Sequence, residues 1–364
     1  MQPDLQTALN QKHDVERVLS RVQAAGASVQ LSDAELQVLL SPSADAWLEP
    51  MARLAADITR QRFGRIMQLY APLYLSNTCM STCTYCGFSF ENKTPRRTLH
   101  STEIQTEAEY LHKEGIRHIL LLTGESYRDT PLAYLRKAIA DLKERFSAVS
   151  IEVYPLKTDE YRELRAAGLD GLTIYQETYD PERYAQVHLR GMKKRMQYRL
   201  ECPDRAGIAG VRKLVIGALA GLSDPAADVY VLARHARYLL HQYWQSRVSV
   251  SLPRLRPAEG LQDPSIPGIP DRDYVRYLCA LRLYLPDAGI YLSTRESSRM
   301  RDHMARICIT DMSAGSKTDP GGYALEGSTE QFSIDDTRSV AELGADLRRQ
   351  DLDVILNDWA ALLV

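Results

Sequence analysis

What the chain lacks narrows its class before any motif is considered. Across 364 residues no segment approaches roughly 18 uninterrupted apolar residues, the length a membrane-spanning helix needs. Neither sign of charge is in excess: 45 Lys and Arg face 47 Asp and Glu, a formal net charge of −2, which argues against a nucleic acid or an anionic membrane as partner. Residues 1–14 are polar and carry neither the apolar core nor the small-residue cleavage site of a secretory leader, so the sequence predicts a cytoplasmic protein with reduced thiols. No internal repeat, low-complexity tract or long linker divides the chain, which favours one catalytic domain over two. Cysteine is also scarce outside one place. Cys202, Cys279 and Cys308 stand alone in the sequence, where buried structural thiols are the expectation.

The other three cysteines are grouped. Cys79, Cys83 and Cys86 fall within eight residues with the spacing C-x3-C-x2-C. Thiolates are the ligands of iron–sulfur clusters and zinc, and a closed site of either kind normally takes about four of them. Three ligands leave a coordination position open, and an open position is where a substrate or cofactor binds. The bland alternative is a zinc knot or a chance group of buried thiols. No fourth Cys or His completes a tetrahedral set at knuckle spacing, and His100, the nearest candidate, is far along the chain.

The first 65 residues carry helical periodicity, with Val15, Val18, Leu19 and Val22 at three- and four-residue steps. Ser32 followed by Glu35 predicts a capping box, and a further helix is expected from about Asp45 through Arg60. From residue 66 short apolar runs alternate with helical stretches, the pattern of a parallel sheet built from βα units. Strands are expected at 66–75, 117–123, 149–155, 171–177, 212–219, 247–253, 289–294 and 307–312. Helices are expected at 101–115, 130–146, 158–167, 181–200, 225–243, 271–285, 296–305 and 337–350. Eight strands alternating with helices predict an α/β fold, a (β/α)8 TIM-type barrel over 66–350, with a doubly wound open sheet as the alternative. Residues 1–65 form an N-terminal helical extension in this reading, and 351–364 a short C-terminal tail packed on the barrel.

In such a barrel the active site is built from strand C-termini and the loops after them. Polar clusters follow several predicted strands. The cysteines follow the first, Thr123-Gly124-Glu125-Ser126 the second, Tyr175-Gln176-Glu177 the fourth, Ser293-Thr294-Arg295-Glu296 the seventh, and Ser313 through Thr318 the eighth. Any one cluster is explained by polar residues beginning where a strand ends; five together indicate a polar cavity. The glycine before Glu125 lets backbone approach a ligand closely. Arg295, directly after Ile290-Tyr291-Leu292, places a fixed cation at the cavity mouth, suited to a carboxylate. An Arg295–Glu296 surface pair accounts for the same residues. Tyr85 and Phe88, beside the third cysteine, either border a ligand or belong to the core.

The cysteine spacing, with an aromatic before the last Cys, resembles the signature of the radical S-adenosylmethionine (SAM) enzymes. Further segments narrow the resemblance: Leu-Ser-Asn-Thr-Cys at 75–79, Tyr-Cys-Gly-Phe at 85–88, Tyr-Gln-Glu-Thr-Tyr at 175–179, Pro-Asp-Arg-Ala-Gly at 203–207, Tyr-Trp-Gln-Ser-Arg at 243–247, Pro-Arg-Leu-Arg-Pro at 253–257, Leu-Ser-Thr-Arg-Glu-Ser at 292–297, Ser-Lys-Thr-Asp-Pro-Gly-Gly-Tyr at 316–323, Gln-Phe at 331–332 and Asp-Trp at 358–359. Together they resemble the aromatic-amino-acid lyases, and most closely the ThiH family of tyrosine lyases (2-iminoacetate synthases) of thiamine biosynthesis. The resemblance implies a [4Fe-4S] cluster on Cys79, Cys83 and Cys86 with SAM chelated at its open iron. It implies contacts to SAM from Tyr85, Phe88, Glu125, Glu177 and Arg199, with Glu125 at the methionyl amino group and Arg199, preferred over Arg205, at the carboxylate. In the family a Gly-Gly-Glu-like segment meets the amino group; here the segment is Thr-Gly-Glu. For the substrate, L-tyrosine, the resemblance implies Arg295 with Ser313 or Thr318 on the carboxylate, and Cα–Cβ cleavage to dehydroglycine and p-cresol. A thiazole synthase (ThiG) and a flavodoxin- or ferredoxin-type reductant are the implied partners. The tyrosine lyase of [FeFe]-hydrogenase maturation, whose second cluster needs cysteines beyond this chain's last, Cys308, and tryptophan lyase are the alternatives within the superfamily. A non-catalytic electron carrier or zinc-scaffolded protein is the alternative outside it.

Overall fold

The computed structural model describes residues 12–258 and 268–357. Residues 358–364 of the expected tail, with the Asp-Trp pair at 358–359, lie outside the described residues, as do residues 1–11. Among the described residues the chain forms eleven strands: β1 (Ile66–Ser76), β2 (Thr82–Cys83), β3 (His118–Thr123), β4 (Ala148–Glu152), β5 (Gly171–Glu177), β6 (His188–Arg190), β7 (Lys213–Ala218), β8 (Arg247–Ser251), β9 (Gly289–Leu292), β10 (Asp311–Ser313) and β11 (Asp353–Ile355). Eight of them, β1, β3, β4, β5, β7, β8, β9 and β10, run parallel in that order. The last pairs with the first, Gln68 with Asp311 through Tyr70 with Ser313, and closes the (β/α)8 barrel. The open-sheet alternative is thereby excluded. Closure explains why the strands read as near-continuous apolar runs: one face packs inside the barrel and the other against the surrounding helices. Among the described residues no helix is long and apolar enough to cross a membrane.

The N-terminal helices Lys12–Ala25, Asp33–Leu40 and Leu48–Phe63 bury Val15, Val18, Leu19 and Val22 as their periodicity requires. The Ser32–Glu35 capping box is present with both of its reciprocal hydrogen bonds. The helix expected from Asp45 begins instead at Leu48 after a 3-10 segment, Pro42–Trp47, and continues to Phe63. These helices lie against the outer helices Pro225–Gln242 and Asp271–Tyr284, on the flank of the barrel.

Other expectations differ from the structure as well. The eighth strand, expected over 307–312, is Asp311–Ser313, because the amides of Ile307, Cys308 and Ile309 all donate to the Met304 carbonyl and wrap the end of the preceding helix. The helix expected over 181–200 is broken. It runs Pro181–Val187, gives way to β6, and resumes at Met196–Leu200. Gly191 enforces the break with φ 84°, and a Cβ there would stand 2.3 Å from the Ser81 hydroxyl. What a continuous helix would have carried away is instead laid antiparallel on β2, Cys83 opposite His188. Lastly, residues 353–355 form a strand, β11, beside Ile66–Gln68 of β1, too short to show a sequence pattern.

Candidate active site

The C-terminal ends of the strands surround one cavity, whose walls include Cys86, Glu152, Tyr175, Lys193, Arg295 and Gln331. A wider, open groove lies between the N-terminal helices and the helix Pro225–Gln242. Several of its charges are already paired, Arg62 with Asp287 and Arg21 with Glu35, and no cysteine is among its lining residues.

The cysteine loop leaves β1 and is held at several points. Asn77 accepts from the Arg97 amide at 2.7 Å and donates to the Pro95 carbonyl at 2.9 Å, closing the loop at its base. The Arg96 guanidinium donates to the carbonyls of Asn77, Phe88, Ser89 and Asn92, taking up acceptors that a loop without secondary structure leaves open. Tyr85 is tied to β6 through its hydroxyl, 2.7 Å from His188 Nε2. His188 Nδ1 lies 2.9 Å from the Tyr184 carbonyl, which only accepts, so Nδ1 carries the proton and Nε2 accepts from Tyr85. Burial, with Lys193 and Arg199 adding, pushes His188 down to about 2, which keeps the ring neutral.

All three grouped cysteines are free thiols, as are the buried Cys202, Cys279 and Cys308. Burial, with Glu125 and Cys86 adding, pushes the Cys79 thiol up to about 11. Burial raises Cys83 well above the usual thiol range, against Lys193, with Cys86 and Cys79 adding, so the three sulfurs stand within each other's field. Two of them are offered N–H groups: the Ser81 amide at 3.4 Å from Cys79 Sγ, and Gln331 Nε2 at 3.7 Å from Cys86 Sγ. Such donors suit a thiolate ligand of an iron–sulfur cluster, whose potential they tune. Among the described residues no three His, Cys, Asp or Glu side chains are disposed to hold a single metal ion. Three thiols with N–H donors at two of the sulfurs are the donor chemistry of an iron–sulfur cluster.

Glu125 and Arg199, far apart in sequence, form a buried ion pair at 2.5 Å, with side chains 11% and 5% exposed. Arg199 also donates to the Tyr175 carbonyl at 2.6 Å, so it is no solvated surface arginine. Glu125 meets the cysteine loop through the Ser81 hydroxyl at 3.3 Å and, by its own carbonyl, the Met80 amide at 3.0 Å. What the glycine before it admits is this same loop: a Cβ on Gly124 would stand 2.2 Å from the Thr78 carbonyl. The close approach expected there is with protein backbone. Glu177 takes a positive φ of 74°, a strained conformation for a side-chain-bearing residue, and pairs with Lys193 at 2.6 Å.

Arg295 and Glu296 do not pair. Glu296 is buried against Arg254, while the Arg295 guanidinium stacks 3.4 Å from the Phe332 ring centroid and reaches only the Arg254 carbonyl, at 3.5 Å. Among the described residues no carboxylate pairs with it, and burial lowers its pKa. Ser313 and Thr318 line the same cavity. Ser313 accepts from the Thr294 amide at 3.1 Å and keeps its hydroxyl proton to donate; Thr318 has committed its own to the Phe332 carbonyl, also at 3.1 Å. Tyr85 lines the cavity, but Phe88 does not: it is buried edge-on to Tyr74, 5.9 Å between centroids.

Sequence reasoning missed Glu152, Lys193 and the role of Gln331. Lys193 was hidden in the supposed helix. The sequence pattern extends the third barrel strand over 149–155 and so conceals Glu152; the strand ends at Glu152, and a carboxylate at a strand end is what singles out Glu125 and Glu177. Its carboxyl is pushed up to about 7, by burial first and the Glu177 carboxylate second, while Lys193, Arg199 and Arg295 pull it back. A folded value above the unfolded one, about 4.3, costs stability as pH rises through 7. Glu152→Gln, which cannot ionise, should therefore gain more in melting temperature over the parent at pH 8 than at pH 5; equal gains at both pH values would show that ionisation of Glu152 carries no such cost.

Comparison with known proteins agrees with this geometry. Residues 73–235 match the model of the radical SAM superfamily, and residues 251–353 that of the biotin and thiamin synthesis associated domain. The chain is 43% identical over 364 residues to the 2-iminoacetate synthase of Salmonella typhimurium LT2, covering 99% of this chain and 94% of the relative, and matches that of Escherichia coli K12 to the same extent. The chain belongs to the 2-iminoacetate synthase family. Among solved structures it superposes on HydG, a maturase of the [FeFe]-hydrogenase, with a TM-score of 0.92 and 28% identity, covering 99% of this chain and 80% of HydG.

Proposed function

We propose that this chain is a radical SAM tyrosine lyase that cleaves the Cα–Cβ bond of L-tyrosine to 2-iminoacetate (dehydroglycine) and p-cresol for the thiazole of thiamine. The observation that carries the reading is that Arg295, a half-buried arginine with no carboxylate partner among the described residues, opens into the same cavity as the three-thiol loop. Cys79, Cys83 and Cys86 are the residues to hold a [4Fe-4S] cluster, and Glu125 and Arg199 the charged pair nearest the loop to receive the amino and carboxylate groups of SAM. Bound there, cluster and SAM supply a 5′-deoxyadenosyl radical able to take a hydrogen atom from the substrate amino group. The chain's own contribution is to hold and to exclude. Arg295 matches the tyrosine carboxylate with two parallel hydrogen bonds, and Ser313 donates a third. The walls of the barrel keep bulk water from a reactive species. Tyr85 and Glu177, on the cavity wall, border the SAM site in this reading. A thiazole synthase to receive the unstable imine and a flavodoxin- or ferredoxin-type electron donor are the partners it needs.

The Glu125–Arg199 pair carries its own prediction. Removing one partner of a buried pair leaves an uncompensated charge and costs about 3–5 kcal/mol. Glu125→Gln should lower thermal stability even without cofactors, and Glu125→Gln with Arg199→Met should recover most of it. Neither variant should show measurable SAM binding by equilibrium dialysis. Retention of SAM by the stable double variant would place the SAM site elsewhere. The function itself is tested by anaerobic reconstitution with SAM, dithionite and each aromatic amino acid. Formation of 5′-deoxyadenosine separates an enzyme from an electron carrier or zinc scaffold.

A further inference from the structure

The cavity holds two charges that the protein leaves without partners. The other two charged side chains on its wall, Glu177 and Lys193, pair with each other. Nearby arginines are likewise taken, Arg254 by Glu296 and Arg301 by Asp336. Arg295 meets no carboxylate, and Glu152 has no hydrogen bond or ion pair among the described residues. The two are not joined to each other, yet each lies in the other's field. An unpaired anion and an unpaired cation across one cavity are the complement of a zwitterion, and an α-amino acid presents its ammonium and carboxylate from a single carbon. Around Glu152 the remaining ionisable groups are Glu177, Lys193 and Arg199, and the phenols of Tyr70, Tyr74 and Tyr175, each of which feels its charge. A carboxylic acid held near 7 takes and returns a proton at physiological pH.

We propose that Glu152 receives the α-ammonium of the substrate while Arg295 holds its carboxylate, and that Glu152 takes one proton from that ammonium to present a neutral amino group for hydrogen abstraction. The step is a plain proton transfer: one N–H bond breaks, its electron pair stays on nitrogen, and an O–H bond forms on Glu152. No oxidant or reductant is consumed. The neutral amine matters because loss of a hydrogen atom from it leaves a neutral nitrogen radical, whereas loss from an ammonium leaves a cationic one. This inference rests on the tyrosine lyase reading and adds a residue that reading does not contain.

The test is binding of L-tyrosine and of 3-(4-hydroxyphenyl)propanoate, which lacks the amino group, to the reconstituted protein with SAM and no reductant, by titration calorimetry from pH 6 to 8. The parent should prefer tyrosine by about tenfold or more, a difference of about 1.4 kcal/mol. The preference should grow with pH as Glu152 ionises, while affinity for the amino-free analogue falls. Glu152→Gln should lose both the preference and its pH dependence yet bind the analogue at least as well at pH 8, which a collapsed site would not do. Glu152→Asp should recover part of the preference and answers for any failure of the Gln variant to fold. A preference for tyrosine that persists unchanged in Glu152→Gln would overturn the assignment. If instead the parent makes no p-cresol with reductant added, the tyrosine lyase reading fails, and the two failures are distinguished in one preparation.

Discussion

Reconstituted Cys83→Ala protein should lack the broad visible absorption of an iron–sulfur cluster and cleave SAM more than about 100-fold more slowly than the parent. Even the outer partners of a metal ligand are worth about 10–100-fold in affinity or activity, and a ligand itself is worth more. Cys83 is the sharpest choice of the three. It is buried, and it is fixed by the β2–β6 pairing, opposite His188, and by its amide's hydrogen bond to the Ser89 hydroxyl. Cys202→Ala is the matched control, because Cys202 is also buried but packs against the Tyr161 hydroxyl at 2.9 Å, away from the cavity. The control should keep its chromophore and its SAM cleavage. Normal SAM cleavage by Cys83→Ala would remove the cluster from these thiols.

Arg295→Leu should weaken tyrosine binding by roughly 30-fold or more. Truncating one side of a buried, hydrogen-bonded charge pair costs about 2–5 kcal/mol, and about 1.4 kcal/mol is a factor of ten. The loss is confined to the substrate, because the thiol loop and the Glu125–Arg199 pair hang on β1, β3 and the segment after β6 rather than on β9. SAM cleavage uncoupled from p-cresol should therefore continue. Arg295→Lys should restore only part of the binding, since an ammonium cannot reproduce the guanidinium fork or its stacking on Phe332. The readout is p-cresol and 5′-deoxyadenosine formed against tyrosine concentration. Unchanged p-cresol formation at low tyrosine in the Leu variant would assign the anchor to another residue.

The barrel was legible in the sequence because parallel strands buried on both faces leave long apolar runs that helical periodicity cannot mimic. The polar ends of those runs located Glu125, Glu177 and Arg295. Errors fell where local pattern and tertiary demand conflict. A helix-forming stretch near 190 is turned into β6 by Gly191 so that it can clamp the cysteine loop, and with it went Lys193. Glu152 was lost to a strand boundary drawn three residues too far. The Glu125–Arg199 pair was invisible because its members are 74 residues apart and meet only when the barrel closes. Spacing did find the three thiols; what spacing cannot show is that Arg96 and Asn77 fold the loop that presents them.

One cavity joining a three-thiolate cluster site to an amino-acid site for tyrosine is what distinguishes a tyrosine lyase from other proteins with a three-cysteine loop. Its most direct test is anaerobic turnover of the reconstituted protein with SAM, reductant and L-tyrosine, with p-cresol and 5′-deoxyadenosine quantified in the same sample. The account predicts that p-cresol appears only with tyrosine and SAM together, in proportion to 5′-deoxyadenosine, and that tryptophan is left intact. Cleavage of SAM without p-cresol, or consumption of tryptophan in place of tyrosine, would contradict it.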